Sequence, residues 1–240
     1  NIEGSFGNAM LGFFENYISP FALAMKATNQ QIGLLSAIPN LFASLVQLKS
    51  ADVVDKVKSR KKIITISVLL QTLMFIPIIL IPFLFKENLT RVYALIIFVS
   101  LYATLGSFGG PAYGSMVSSL VKDEERGRFF GYRGKIFGII LIIAMFIAGY
   151  ILNLFNGRTL IGFTIIFSIA MICRFFSYFF LKKMHDPAMD YSKDGYFSFF
   201  AFYKRLKQSN FAKFTLYVSL ITFTTNLSGP FFAVYVLKDL

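Results

Sequence analysis

A single carboxylate in the middle of an apolar stretch is the residue of this sequence with the clearest chemistry. Glu15 lies in the run Gly4–Met25, about eleven residues from either end. An ionised carboxylate at such a depth in a membrane is costly unless it pairs, faces water or takes up a proton. Since burial also makes a carboxyl hold its proton more tightly, Glu15 is predicted to bind a proton or to contact a substrate. The alternative is a Glu15 that only hydrogen-bonds a neighbouring segment.

The residues around Glu15 share its face of a predicted helix. At about 100° per residue, Asn8, Gly12 and Ser19 fall beside Glu15, whereas the other faces carry Phe, Leu, Ile and Met. Lipid would penalise a polar face, so this face is expected to line a cavity. Similar polar residues occur in other apolar runs, and the candidates for proton or substrate contact are Glu15, Asn8, Ser19, Asn40, Gln47, Thr104 and Asn226.

Arg174 is the other charge within an apolar run. It lies about eight residues before the end of its run. Long cationic side chains near helix ends reach toward the membrane surface. Arg174 is therefore expected to snorkel or to form a structural pair rather than to contact substrate.

The elements that must position these side chains are membrane-spanning helices. Hydrophobic residues make up 56% of the chain and charged residues 15%. Seven apolar runs are each long enough to cross a hydrocarbon layer of about 30 Å as a helix. The sequence therefore predicts an all-α, polytopic transmembrane bundle. The runs are Gly4–Met25, Ala27–Leu48, Ile63–Phe85, Val92–Val121, Ile136–Gly157, Thr159–Leu181 and Phe214–Leu237.

Basic residues are distributed unevenly between the links that join these runs. One alternate set of links carries 18 lysines and arginines, and the opposite set carries 5. Cytoplasmic loops hold the excess of Lys and Arg, so a multi-pass plasma-membrane protein with a cytoplasmic N-terminus is predicted. The net charge of +12 then reflects topology, and no nucleic-acid partner is expected. The lipid bilayer is the expected environment.

Metal, disulfide and enzyme chemistry find little support in the composition. The single cysteine, Cys173, lies in the sixth run, and the single histidine, His185, lies in the link that follows it. One cysteine allows no intrachain disulfide and suggests no metal cluster. A membrane-embedded enzyme would need His, Asp or Glu clustered at one depth, where only Glu15 is found. No metal, no cofactor and no enzymatic activity are expected.

The chain divides into three predicted parts. Residues 1–182 form a six-helix bundle, 183–212 a cytoplasmic linker and 213–240 a seventh span. The linker mixes aromatic and basic residues, which favours a helix on the membrane surface or one packed on the protein itself. The Asn16-x-x-x-Pro20-Phe21 spacing of the first span recurs 210 residues later from Asn226. This repeat, with both chain ends close to apolar runs, indicates a fragment of a longer protein in which six spans repeat in parallel.

Glycines at four-residue intervals are predicted to allow close helix packing. They are Gly106, Gly110 and Gly114, together with the pairs Gly127–Gly131 and Gly134–Gly138.

Six spans, a long basic linker and a repeated start together resemble the major facilitator superfamily. That family carries Gly-x-x-x-Asp-Arg-x-Gly-Arg-Arg after span two, where this chain has Asp55-Lys56 and the basic end Arg60-Lys61-Lys62. The two glycines are absent and one residue is inserted. The link after span four is closer to the sequence pattern that the family carries there. Its motif residues are Glu125, Arg126, Gly127 and Arg128.

The resemblance implies a secondary transporter that moves a small-molecule substrate by alternating access, with protons as a candidate coupling ion. It also implies that Asp55, Lys56 and Arg60 form a cytoplasmic gate; alternatively, Asp55 merely offsets local repulsion. Signatures of proton-driven drug export are missing, since Tyr102 stands where an Arg is expected and Gly149-Tyr150 replaces a Gly-Pro pair. The alternative from another class is a seven-span receptor or signalling protein, whose N-terminus would normally lie outside.

Overall fold

The structure is a computed structural model that describes residues 2–186 and 210–238. The chain forms two compact units, Asn1–Pro187 and Ala188–Leu240. Of the predicted linker 183–212, residues 187–209 lie outside the described residues.

The first unit is an antiparallel helical bundle. Six segments run back and forth, two of them broken into consecutive helices. In chain order the helices are α1 (Ile2–Phe14), α2 (Ile18–Ala24), α3 (Asn29–Leu48), α4 (Ser50–Val57), α5 (Arg60–Leu73), α6 (Phe75–Leu84), α7 (Asn88–Ser119), α8 (Arg126–Leu154) and α9 (Thr159–Lys183), with short 3-10 turns at Glu15–Tyr17 and Asp123–Glu125.

Prolines account for the two breaks within the long segments. A proline removes the hydrogen bond to the carbonyl four residues earlier and its ring crowds that carbonyl. For Pro20 that carbonyl belongs to Asn16, in the 3-10 turn, and for Pro77 it belongs to Leu73, the last residue of α5. The first predicted span is therefore two short helices, and Glu15 begins the turn between them.

Local capping sets where two of the helices begin. Thr28 accepts the backbone N–H of Gln31 at 3.3 Å, while the Gln31 side chain accepts the backbone N–H of Thr28 at 2.9 Å. This reciprocal capping box starts α3. Ser59 accepts the backbone N–H of Lys62 at 3.2 Å and starts α5 in the same manner.

Two helices begin earlier than the apolar runs predicted. Helix α8 starts at Arg126 rather than Ile136, and α7 starts at Asn88 rather than Val92. Hydropathy reports which side chains suit lipid, whereas charged residues such as Arg are compatible with helical backbone. Arg133 consequently lies two turns inside α8, not in a loop.

Aromatic side chains form the centre of the packed bundle. Phe14, Phe21, Phe75 and Phe167 are fully buried. The Phe14 ring lies 4.6 Å from Phe75, 4.9 Å from Tyr102 and 4.9 Å from Phe167 between centroids. These contacts join the first segment to α6, α7 and α9. The residue before the Glu15 turn is therefore held in a packed aromatic cluster.

Close helix packing occurs at one of the predicted glycines and at others that the spacing did not predict. At Gly12 a Cβ would lie 2.6 Å from the Ala144 Cβ and 2.7 Å from the Leu141 carbonyl oxygen, so α1 and α8 touch through backbone. Of the predicted glycines, only Gly106 is tightly packed, against the Gln71 side chain. The prediction was wrong for the others, which have no described atom within 4 Å of a Cβ: Gly110, Gly114, Gly127, Gly131, Gly134 and Gly138.

Five helical segments among the described residues are long and apolar enough to cross a membrane. They are α3, α5 with α6, α7, α8 and its preceding turn, and α9. The first segment, which is broken at Glu15, and the helix of the second unit are not among the five. That helix, α10, spans Asn210–Lys238 and is described by itself. The predicted all-α membrane bundle is confirmed.

Candidate functional site

A cavity of about 480 Å³ lies between the helices of the first unit. Residues of α1, α3, α5, α7, α8 and α9 line it, and polar side chains converge on it from different helices. It extends from Glu3 near the start of α1 to Glu15 in the turn that follows α1. The cavity therefore joins the middle of the first segment to the end of the bundle where α1 begins.

Glu15 marks one end of this cavity. Its side chain is exposed to the cavity although the residue before it, Phe14, is fully buried. The Tyr102 hydroxyl donates to Glu15 Oε1 at 3.3 Å and also lies 3.1 Å from Met10 Sδ. Since a hydroxyl has one proton, Tyr102 serves one of these acceptors at a time. Among the described residues, the carboxylate thus has one shared donor, and its other side faces the cavity.

Arg174 and Gln71 form the wall beside Glu15. The Gln71 Nε2 donates to the Tyr102 carbonyl oxygen at 3.3 Å, and Arg174 Nη2 donates to Gln71 Oε1. Arg174 and Gln71 line the same cavity as Glu15. Arg174 thus hydrogen-bonds a neutral side chain of α5.

A second polar cluster lies at the Glu3 end of the cavity. Glu3 is 8% exposed; its Oε2 accepts the Tyr113 hydroxyl at 2.6 Å and its Oε1 accepts the Ser177 hydroxyl at 3.1 Å. Arg133, which is 9% exposed, donates to the Tyr113 oxygen and lies 4.7 Å above the Phe137 ring. The Glu3 carboxylate and the Arg133 guanidinium are thus joined through the Tyr113 phenol and are not in direct contact.

The cavity brings together some of the predicted proton and substrate residues. Asn8 and Asn40 line it with Glu15, and the Asn8 amide donates to the Gly4 carbonyl oxygen at 2.8 Å. Ser19 and Gln47 do not line it. Thr104 lines a separate apolar cavity of about 410 Å³ and donates to the Ser100 carbonyl oxygen at 2.7 Å. Asn226 lies in α10, in the second unit.

The predicted gate motif contains one deeply buried cation. Arg60 is 3% exposed; its Nη1 donates to the hydroxyls of Ser115 at 3.0 Å and Ser119 at 2.9 Å in α7. Its Nε lies 3.8 Å from Asp186 Oδ1, just beyond α9. Lys56 is exposed. The side chain of Asp55 lies outside the described part of the chain.

Asp186 binds the start of α5 as well as Arg60. Its Oδ2 accepts the Ser59 hydroxyl at 3.1 Å and the backbone N–H of Lys61 at 3.3 Å. The first N–H groups of a helix lack partners within the helix, and the helix dipole favours an anion there. Asp186 therefore links the end of α9 to the start of α5, while Arg60 links α5 to α7.

The motif of the α7–α8 link also holds helix ends together. Arg126 donates to the Ser118 carbonyl oxygen at 3.1 Å, near the end of α7, and pairs with Asp123 at 2.6 Å. The other motif residues, Glu125, Gly127 and Arg128, are exposed.

Sequence reasoning passed over most of the polar wall. Arg133 was counted as a loop charge because the apolar run begins after it, and Glu3 precedes the first run. Gln71, Tyr102 and Tyr113 are single polar residues in long apolar segments. An amide or phenol within such a segment is a usable signal, because in lipid it needs a partner.

Comparison with known families covers almost the entire chain. The family model described as Major Facilitator Superfamily matches residues 4–240. Searches of the curated proteins and of the solved structures found no match. The family match agrees with the helical bundle, its five apolar membrane-length segments and its central cavity. The chain therefore belongs to the major facilitator superfamily of membrane transporters.

Proposed function

We propose that this protein is a secondary active transporter that binds a small organic solute in the cavity and moves it by alternating access. The cavity volume falls within the range of about 300–1,000 Å³ typical of small-molecule sites. Apolar walls with a few convergent polar groups are also typical of such sites. The family gives the receptor alternative no support.

The observation that carries the proposal is Glu15 on the cavity wall. Among the described residues, no cation lies within ion-pair distance of its carboxylate. An ionised carboxylate in a membrane protein needs water, a cation or a proton. We therefore assign Glu15 the role of proton carrier: a proton bound there in one state of access is released in the other.

The Arg60–Asp186 contacts support a rigid-body form of alternating access. They join α5, α7 and α9 at one end of the bundle, so residues 1–182 are proposed to rock as one domain. The remaining domains of the proposal are a linker at 183–212 and a seventh span at 213–240. The charge distribution supports a cytoplasmic N-terminus, and the plasma membrane is the proposed location.

Transport assays in vesicles test the role of Glu15. The full-length protein is reconstituted and solute accumulation is measured with and without a proton gradient, for the wild type, Glu15→Gln and the control Glu87→Gln. Glu87 is exposed before α7 and away from the cavity. Glu15→Gln is expected to lose gradient-driven accumulation and keep solute exchange, because the amide holds the hydrogen bond but takes up no proton.

The Glu87→Gln variant is expected to behave as the wild type. Accumulation by Glu15→Gln at the wild-type level under a gradient would show that Glu15 has a packing role only. Absence of transport by the wild type across sugars, amino acids, organic anions and drugs would count against the transporter proposal itself.

A further inference from the structure

We propose that the transported solute carries a carboxylate or phosphate group and that Arg174 binds this group. The inference rests on the proposed function, since it assumes that the cavity is the substrate site. It names the chemical class of the substrate and a specificity residue within that site.

The cavity contains two arginines that face neutral partners. Arg174 donates to the amide of Gln71, and Arg133 donates to the phenol of Tyr113. Among the described residues, neither has a carboxylate oxygen within 4.0 Å, in contrast to Arg60 and Arg126, which pair with Asp186 and Asp123. Arg60 and Arg126, which lie outside the cavity wall, thus have acidic partners, whereas Arg174 and Arg133 in the wall have none among the described residues.

The hydrogen bonding of Arg174 is incomplete in the described part of the chain. A guanidinium offers five N–H donors. Nη2 is used by Gln71, and the enclosed Nε has no acceptor. Burying an unpaired donor of a charged group is costly. An anionic ligand beside Arg174 would offset both the unused donors and the unbalanced charge, which a neutral sugar or a drug cation would not do.

Two neighbours hold the guanidinium in place and leave space beside it. Gln71 is fixed between Tyr102 and the bare backbone of Gly106, so the acceptor of Arg174 cannot move freely. Gly7 of α1 also lies beside the guanidinium on the cavity wall, and a Cβ there would stand in ordinary van der Waals contact with Nη1, at 3.7 Å. The missing side chain at Gly7 therefore leaves only a small recess against Nη1, about the size of a methyl group. A fixed arginine beside a recess suits the planar oxygens of a carboxylate or phosphate.

Glu15 provides a further, specific expectation. Glu15 and Arg174 line the same cavity. An incoming anion would meet repulsion from Glu15 and attraction from Arg174. Removing the Glu15 charge is therefore expected to tighten anion binding, whereas removing the Arg174 charge is expected to weaken it. A purely structural role for both residues predicts no such opposite effects.

Ligand-induced thermal stabilisation of the purified full-length protein tests the proposal. The probes are three matched pairs: succinate and succinamide, benzoate and benzamide, and glucose 6-phosphate and glucose. Each is titrated against the wild type, Arg174→Gln, Arg174→Lys, Glu15→Gln and the control Arg158→Gln, whose arginine is exposed in the α8–α9 link. The carboxylate and phosphate pairs distinguish the two sources of charge.

At least one anion is expected to stabilise the wild type while its neutral partner does not. Arg174→Gln is expected to lose about tenfold or more in affinity, since charge-assisted pairs are among the strong polar contacts. Arg174→Lys keeps the charge but not the planar guanidinium with its paired N–H donors, and should lose less affinity. Glu15→Gln should bind more tightly, and Arg158→Gln should match the wild type. If Arg174→Gln does not fold, Arg174→Lys and Glu15→Gln still carry the test.

The proposal is overturned if no anion of the panel binds, if neutral partners bind equally well, or if the Arg174 and Glu15 variants bind as the wild type. The transport assay separates this failure from that of the proposed function. Glu15-dependent transport of a neutral solute would support the transporter proposal and refute the proposal that the solute is an anion. Anion binding without transport would instead refute the transporter proposal.

Discussion

The contact between α1 and α8 at Gly12 allows a stability effect to be worked out from distances. A Cβ added at Gly12 would lie 2.6 Å from the Ala144 Cβ and 2.7 Å from the Leu141 carbonyl oxygen. Carbon atoms pack at about 3.5–4.0 Å, so Gly12→Ala requires the helices to separate by about 1 Å. Overpacking of this kind costs about 1–3 kcal/mol. Part of the cost is offset, since alanine favours helix over glycine by about 0.5–1 kcal/mol.

A matched alanine variant separates the steric cost from helix propensity. Gly138 lies in α8 and has no described atom within 4 Å of a Cβ. Gly138→Ala therefore brings the same helical gain without overlap. Thermal unfolding of both purified variants in detergent is the assay. Gly12→Ala is expected to unfold several degrees below Gly138→Ala, at about 2–4 °C per kcal/mol for a chain of this size. Equal unfolding temperatures would refute the backbone contact between α1 and α8.

Two further predictions concern contacts outside the cavity. Arg60→Gln loses the ion pair with Asp186 and is expected to lower the free energy of unfolding by about 1–3 kcal/mol. The control Lys56→Gln changes an exposed residue and should alter this free energy by less than about 0.5 kcal/mol. Equal denaturation curves for the two variants would contradict the buried contacts of Arg60. Thr28→Ala removes the acceptor at the start of α3 and should cost about 1 kcal/mol in the same assay; an unchanged unfolding temperature would show that the capping box does not stabilise α3.

The membrane bundle and its family were predictable from the sequence because they depend on local composition. An apolar run of about 20 residues has only one favourable backbone conformation in lipid, the helix. The Asp55-Lys56 and Arg60-Lys61-Lys62 motif then pointed to the family. Glu15 was recognised for the same reason, since a charge in an apolar run is detectable without any knowledge of its neighbours. These conclusions needed no long-range contact.

Helix ends and packing contacts were predicted less well. Hydropathy placed Arg133 in a loop because it measures the preference of side chains for lipid, not the extent of the helical backbone. Glycine spacing favoured Gly106, Gly110 and Gly114, of which only Gly106 is closely packed, whereas Gly12 lies outside this pattern and touches α8. Spacing shows that a helix has a flat face, but the helix that packs there depends on the arrangement of the bundle.

The sequence alone determined that this protein is a helical membrane transporter with a carboxylate in its first segment. Only the tertiary structure decided what that carboxylate faces. Tyr102 lies 87 positions from Glu15 in the chain, and Gln71 and Arg174 lie 103 positions apart, yet they form one cavity wall. Such contacts arise where distant helices meet, and no local pattern encodes which side chains will face each other. For that reason the lack of an acidic partner for Arg174 among the described residues, and with it the proposed anion, became apparent only in the folded chain.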